Sequence, residues 1–327
     1  MSVKTEQAQV IYLDQNHWIT MARARYAPEK IQKAEEREAA TALWELAATG
    51  QVRLPLSMAH LVETAHRGLK PSRRRLARAM LDGYGGWHML NPLVVRRYEL
   101  VGAFSGTKLT ATDVFTTAAN SPFFNYTPSS SVAAPTAAHR PDGLPWQVAW
   151  ASALLEDTLS PEELAASNAV IERWAATLST LAQYMRDHPG DRDIRLVTAA
   201  HMLGDQGRDI AQALLIAGIG SENVSALLNE ETVVDFFARL PFNGGVLEIT
   251  QARLRNASDK WVRNDLNDLF YLACAAGYAD HVVAEKKTGV FLQQASRGLN
   301  TPRALVHVNL RSLVHDLQTP QETGRHP

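Results

Sequence analysis

The chain has 327 residues, 46% of them apolar and 20% charged. That ordinary globular mixture excludes a largely disordered or fibrous protein, and the length suffices for a sizeable core or about two domains. Lys and Arg number 33 and Asp and Glu 34, for a formal charge of −1, so the overall balance does not announce nucleic-acid binding and any phosphate contact must come from local patches.

Residues 1–9 are polar and lack the apolar heart of a signal peptide. No stretch approaches the ~18 apolar residues of a membrane span. The expectation is a soluble cytoplasmic protein that engages no membrane. Val10-Ile11-Tyr12-Leu13 is a continuous apolar run ending in Asp14, as in a strand buried on both faces of a parallel sheet. A helix is predicted over about 28–49, between Pro28 and Gly50. A strand follows at 52–56, then a helix over 57–67 with Ser57 as N-cap and Gly68 as its stop. Residues 71–103 read as helical with a break at 83–91, and 104–146, rich in Ser, Thr, Ala and Pro, as a long mobile loop. From 147 to 257 the pattern is helical throughout. The last part returns to helix (264–276), strand (281–284), helix (286–297) and strand (304–308).

The fold class is therefore α/β. Segments 1–103 and 258–327 form two parts of one sheet domain, and a large mainly α-helical insertion at 147–257 follows the loop. The lone cysteine, Cys274, sits in the apolar run at 272–276 and reads as a buried, inert thiol.

Five acidic residues, at four places in the chain, stand out. Asp14 closes the first strand, and the carboxyl edge of a parallel sheet is where ligands bind; capping the next helix is the plainer role. Glu63 lies off the apolar stripe formed by Met58, Leu61, Val62 and Ala65, which suits a solvated face. Asp265 and Asp268 share one side of a helix's first turn, as caps or as metal ligands. Glu285 follows the strand at 281–284 as Asp14 follows the first. Carboxylates gathered at one sheet edge suit Mg²⁺ or Mn²⁺, hard cations shared with substrate phosphates, and such ions promote phosphodiester cleavage.

Leu13-Asp14-Gln15-Asn16 after an apolar strand, Glu63 within Ser57-Met58-Ala59-His60-Leu61-Val62-Glu63, and Asp265-Leu266-Asn267-Asp268 leading to Tyr278-Ala279-Asp280 and Glu285 together resemble the PIN-domain superfamily of metal-dependent nucleases. The likeness is closest to its larger PIN-like members and covers roughly 8–70 and 260–310, leaving out the helical middle. It implies a PIN-like parallel sheet flanked by helices and an endoribonuclease acting through Mg²⁺ or Mn²⁺. The family's first acid falls on Asp14, its second on Glu63, its third on Asp265 or Asp268, and its fourth on Glu285. The fourth is usually Asp, and the longer Glu moves that carboxylate. RNA, or DNA, is the implied partner.

Arg67, Lys70, Arg73, Arg74, Arg75 and Arg78 follow Glu63, and Arg253, Arg255, Lys260 and Arg263 precede Asp265. Both groups read either as phosphate tracks or as solvated faces. Asn16, His17, Arg67, Arg73, Arg74 and Lys286 are the candidate substrate contacts, and Trp18, Tyr84, Trp87 and Trp261 are candidate stacking platforms or core residues. The helical middle is a candidate surface for self-association or a regulatory partner. Two other readings compete: a catalytically degenerate module of the same shape that binds nucleic acid or protein, and a phosphohydrolase of small esters. The Asp-x-Asp pair of haloacid-dehalogenase-type phosphatases is absent, since position 16 is Asn.

Overall fold

The apolar run near the start forms strand β1 (Gln9–Leu13). Its side chains divide by parity: Val10 and Tyr12 enter one hydrophobic core, Ile11 and Leu13 another. A strand buried on both faces requires that alternation. The computed structural model describes residues 8–65, 67, 71–117, 146–155, 161–188, 193–220, 223–256, 259–262, 265–299, 301 and 303–319.

Helix α1 (Gln15–Tyr26) starts at once, with Asp14 as its N-cap accepting the Gln15 N–H. The helix expected over 28–49 is a single 3₁₀ turn followed by α2 (Ala34–Ala48). Next come β2 (Val52–Arg53), α3 (Met58–Ala65), α4 (Pro71–Gly83), β3 (His88–Met89) and α5 (Pro92–Ser105). The expected mobile loop begins as ordered structure. Phe104 belongs to α5 and stacks on Phe236 at 5.3 Å. A capping box between Thr110 and Asp113 then starts α6 (Ala111–Val114), and β4 (Phe115–Thr116) pairs antiparallel with β3. The remainder of that loop, 118–145, lies outside the described residues.

The helical stretch comprises α7 (Trp146–Leu155), α8 (Pro161–Asp187), α9 (Ile194–Asp205), α10 (Gly207–Ile216), α11 (Val224–Leu227), α12 (Val233–Ala238) and α13 (Pro241–Arg255). The chain closes with α14 (Asp265–Tyr278), β5 (His281–Val283), α15 (Lys286–Gly298), β6 (Leu305–His307) and α16 (Leu310–Gln318). No described helix is long and apolar enough to cross a membrane.

The main sheet has the order β2-β1-β5-β6 and is parallel throughout. Tyr12 pairs with Val282 and Leu13 with Val283, so the first and last parts of the chain meet at its centre. Side chains of α1, α2, α4, α7 and α16 cover one face, and the other face shares a core with α5 and the helices from α8 to α15. The helical middle is thus continuous with the sheet's own core. Helix α13 is the wedge that joins them, buried on almost every side between Phe242 and Leu254. The buried carboxylate of Glu99 accepts the N–H groups of Phe242 and Asn243, at 2.6 and 3.0 Å, and the Tyr278 hydroxyl at 2.6 Å. It thereby caps α13 and ties it to α14. Gly277 permits this contact, because a Cβ there would stand 2.9 Å from the Pro241 carbonyl carbon.

Candidate functional site

Parallel strands end together, so the register of β1 on β5 sets Asp14 beside the segment that leads to Glu285. The Asp14 N–H donates to the Val283 carbonyl at 2.9 Å. Asp14 Oδ1 accepts the Gln15 N–H at 2.7 Å, and Oδ2 the more distant Glu285 N–H at 3.4 Å. Asp14 is therefore a cap and an edge carboxylate at once.

Helix α3 supplies the second acid. Its buried residues are Ala59, His60, Leu61 and Thr64, not the expected stripe of Met58, Leu61, Val62 and Ala65. Two polar residues sit on the buried side because each has a partner there. His60 Nδ1 accepts the Ser57 N–H at 3.0 Å, and its Nε2 meets the Leu13 carbonyl at 2.8 Å. Acceptance at Nδ1 assigns the proton to Nε2, which donates to that carbonyl. Burial holds the ring neutral, its pKa lowered to about 4. Thr64 accepts the Gln15 amide at 2.9 Å. Pinned this way, α3 turns Glu63 toward the end of β1 and away from open solvent.

Helix α14 supplies the third acid. Asp265 is occupied: its Oδ2 accepts Arg253 Nη2 at 2.8 Å and the Val262 N–H at 2.6 Å. Asp268, one turn on, faces the cleft with Asn267, Tyr271 and Leu272. Asp14, Glu63 and Asp268 thus line one small cleft with Tyr12, Gln15, Ala59 and His60. It leaves about 10 Å³ of free room, close to the ~10–15 Å³ that a single water needs, so its interior admits an ion or a water.

The electrostatics agree with the geometry. Glu63 is pushed up to about 8 by burial first, then by Asp14 and Asp268, against a smaller opposing effect of Arg67. Asp268 is raised to about 7 by burial, then by Asp14, Asp265 and Glu285. Asp14 is raised by burial as well. Asp14 thus raises both Glu63 and Asp268, and Asp268 also raises Glu63, as expected of neighbouring acids at one site. Among the described residues no three carboxylate, imidazole or thiolate groups are already drawn together around one point; the acids ring the cleft. All three are oxygen donors, the type that hard divalent cations prefer.

The remaining candidates divide. Glu285 is exposed and accepts a hydrogen bond from Asn16 at the mouth. Lys286 and Arg74 are exposed, and Arg67 is half-buried near Glu63. Two candidates are corrected. Arg73 is 1% exposed and donates from Nε to the Leu154 carbonyl at 2.9 Å, so it fastens α4 to α7 and faces no phosphate. His17 is buried beneath the edge, where it hydrogen-bonds the Ala284 backbone. Arg253, in the second basic group, is likewise consumed by Asp259, Asp265 and the face of Trp261. Lys70 and Arg263 lie outside the described residues. Of the aromatic candidates, Trp18, Tyr84 and Trp261 are buried, whereas Trp87 is half-buried with the Arg53 guanidinium 4.2 Å above its ring. Sequence reasoning missed Gln15, His60 and Thr64, polar residues whose partners lie on other elements.

No family model matches the chain, and no curated protein or solved structure matches it.

Proposed function

We propose that the protein is a metal-dependent phosphodiesterase of PIN-like type, acting as an endoribonuclease with Mg²⁺ or Mn²⁺. One observation carries this reading. Asp14, Glu63 and Asp268, from three elements far apart in sequence, line one ion-sized cleft at the carboxyl edge of a parallel sheet. A bound divalent cation would supply Lewis-acid charge and make water nucleophilic near neutral pH. Asp14, fixed by two backbone N–H groups, offers the most rigid oxygens. Glu63 and Asp268 face it and must lose their protons to bind, which their raised pKa values make a real competition near neutrality. Closing these donors on one ion takes side-chain rotation of Glu63 and Asp268, since they ring the cleft. Arg67 lies near Glu63, and with Arg74 and Lys286 it would contact the phosphates of a strand lying across the mouth. Asn16 and Glu285 would orient water there.

A catalytically silent nucleic-acid-binding module is the second reading. It is favoured by the solvent-facing Glu285, which is committed to Asn16.

Incubation of the full chain with single-stranded RNA and with DNA, in Mg²⁺, Mn²⁺ or excess chelator, separates the two. The first reading predicts divalent-dependent RNA cleavage lost in Asp14→Asn. RNA binding without cleavage under any divalent ion would establish the second, and cleavage undiminished in chelator would refute the first.

A further inference from the structure

We propose that Gln15 is a neutral oxygen ligand on the floor of the acidic cleft, which completes the coordination of a divalent cation and is held in orientation by Thr64. This rests on the reading of the cleft as a cation site and adds a ligand to it that carries no charge. Gln15 is 3% exposed and lines the cleft beside Asp14, Glu63 and Asp268. Its Nε2 donates to Thr64 Oγ1 at 2.9 Å. The Thr64 hydroxyl in turn donates to Met80 Sδ at 4.0 Å. Because that hydroxyl's single proton points to sulfur, its lone pair is what the Gln15 amide meets, and this fixes which end of the amide faces Thr64.

Gln15 Oε1 is left buried and, among the described residues, without a hydrogen-bond partner. A buried carbonyl oxygen of this kind is costly and rare, and it calls for a donor or an ion. Two of the nearby donors are committed elsewhere: the Tyr12 hydroxyl pairs with Ser57, and His60 Nε2–H with the Leu13 carbonyl. Once ionised, the acidic residues that line the cleft offer acceptors only. A wall of carboxylates plus one stranded amide oxygen, around space for a single small particle, is satisfied at once by a hard cation. Amide carbonyls are ordinary ligands of such ions, and a neutral one adds coordination without adding repulsion.

The test is calorimetric titration of the full chain with MnCl₂ at fixed pH, free of nucleic acid, on the wild type, Gln15→Met and Thr64→Val, with thermal unfolding to verify each fold. Methionine keeps the length and removes the oxygen; valine keeps the volume and removes the hydroxyl that orients the amide. The expected result is about tenfold weaker Mn²⁺ binding in Gln15→Met, and a smaller loss in Thr64→Val. Wild-type or tighter affinity in Gln15→Met overturns the inference and leaves the cation site standing. If Gln15→Met does not fold, unchanged affinity in Thr64→Val overturns it instead. A wild type that takes up no Mn²⁺ rejects the cation site itself.

Discussion

Arg253 holds Asp265 by an Nη2–Oδ2 contact of 2.8 Å, and that pairing separates the roles of two carboxylates only one helical turn apart. Asp265 secures the start of α14 to the end of α13; Asp268 is left facing Asp14 and Glu63. Spacing alone put both acids on one side of the helix and gave no reason to choose between them.

The two asparagine substitutions should therefore behave differently. Asp268→Asn is expected to lower divalent-dependent RNA cleavage on the order of 100-fold or more without loss of stability. Asp265→Asn is expected to cost about 1–3 kcal/mol of stability, because it weakens a buried charged contact, and to spare more of the activity. Denaturant melts alongside a cleavage assay would read both effects.

The pH dependence of stability follows from opposing groups. Glu63 and Asp268 are raised to about 8 and about 7. The folded state thus keeps protons that the unfolded chain has already released, and stability falls as pH rises toward 8. His60 and His307 are lowered to about 4. Between about 4 and the ordinary histidine value of 6.5 the unfolded state binds more protons at these two rings, which offsets the two acids over that range. Without divalent ions, urea melts should show little change between about pH 4.5 and 6.5 from these groups and a decline from about pH 6.5 to 8. Mn²⁺ should remove the decline by neutralising the acids. A flat profile between pH 6.5 and 8 in chelator would contradict this arrangement of carboxylates.

Glu63→Gln removes an acid that repels its neighbours once it is ionised. It is expected to stabilise the metal-free protein by about 1 kcal/mol and to flatten the decline above pH 6.5, while cleavage is lost. Destabilisation in the same melt would mean that Glu63 is satisfied where it stands.

The basic residues that follow α3 should divide the same way. Arg67→Ala is expected to weaken RNA binding with the melting temperature unchanged. Arg73→Met is expected to lower the melting temperature, because it breaks the contact with the Leu154 carbonyl, with little effect on RNA affinity beyond that. Filter binding together with thermal unfolding would distinguish them.

Much of this was legible in the sequence where periodicity had a single physical meaning. The run at 10–13 suits a strand buried on both sides, as found for β1, and the acids after β1 and β5 lie where a sheet edge would put them. Helix α3 was misread because its buried side carries His60 and Thr64, whose partners, the Leu13 carbonyl and the Gln15 amide, come from another element. An apolar-stripe argument assigns such residues to solvent, and it sent Glu63 there too. Arg73 and Arg253 misled for the converse reason: a cation reads as surface until a carbonyl or carboxylate is seen to bury it. The start of the expected loop was hidden because β4 is short and pairs with a strand some 25 residues earlier.

The most direct test is diffraction from Mn²⁺-soaked crystals of the full chain at the manganese absorption edge. An anomalous peak among the carboxylates of Asp14, Glu63 and Asp268 is the predicted result. Density that shows those three carboxylates with no ion between them, at Mn²⁺ concentrations that fill ordinary carboxylate sites, would contradict it.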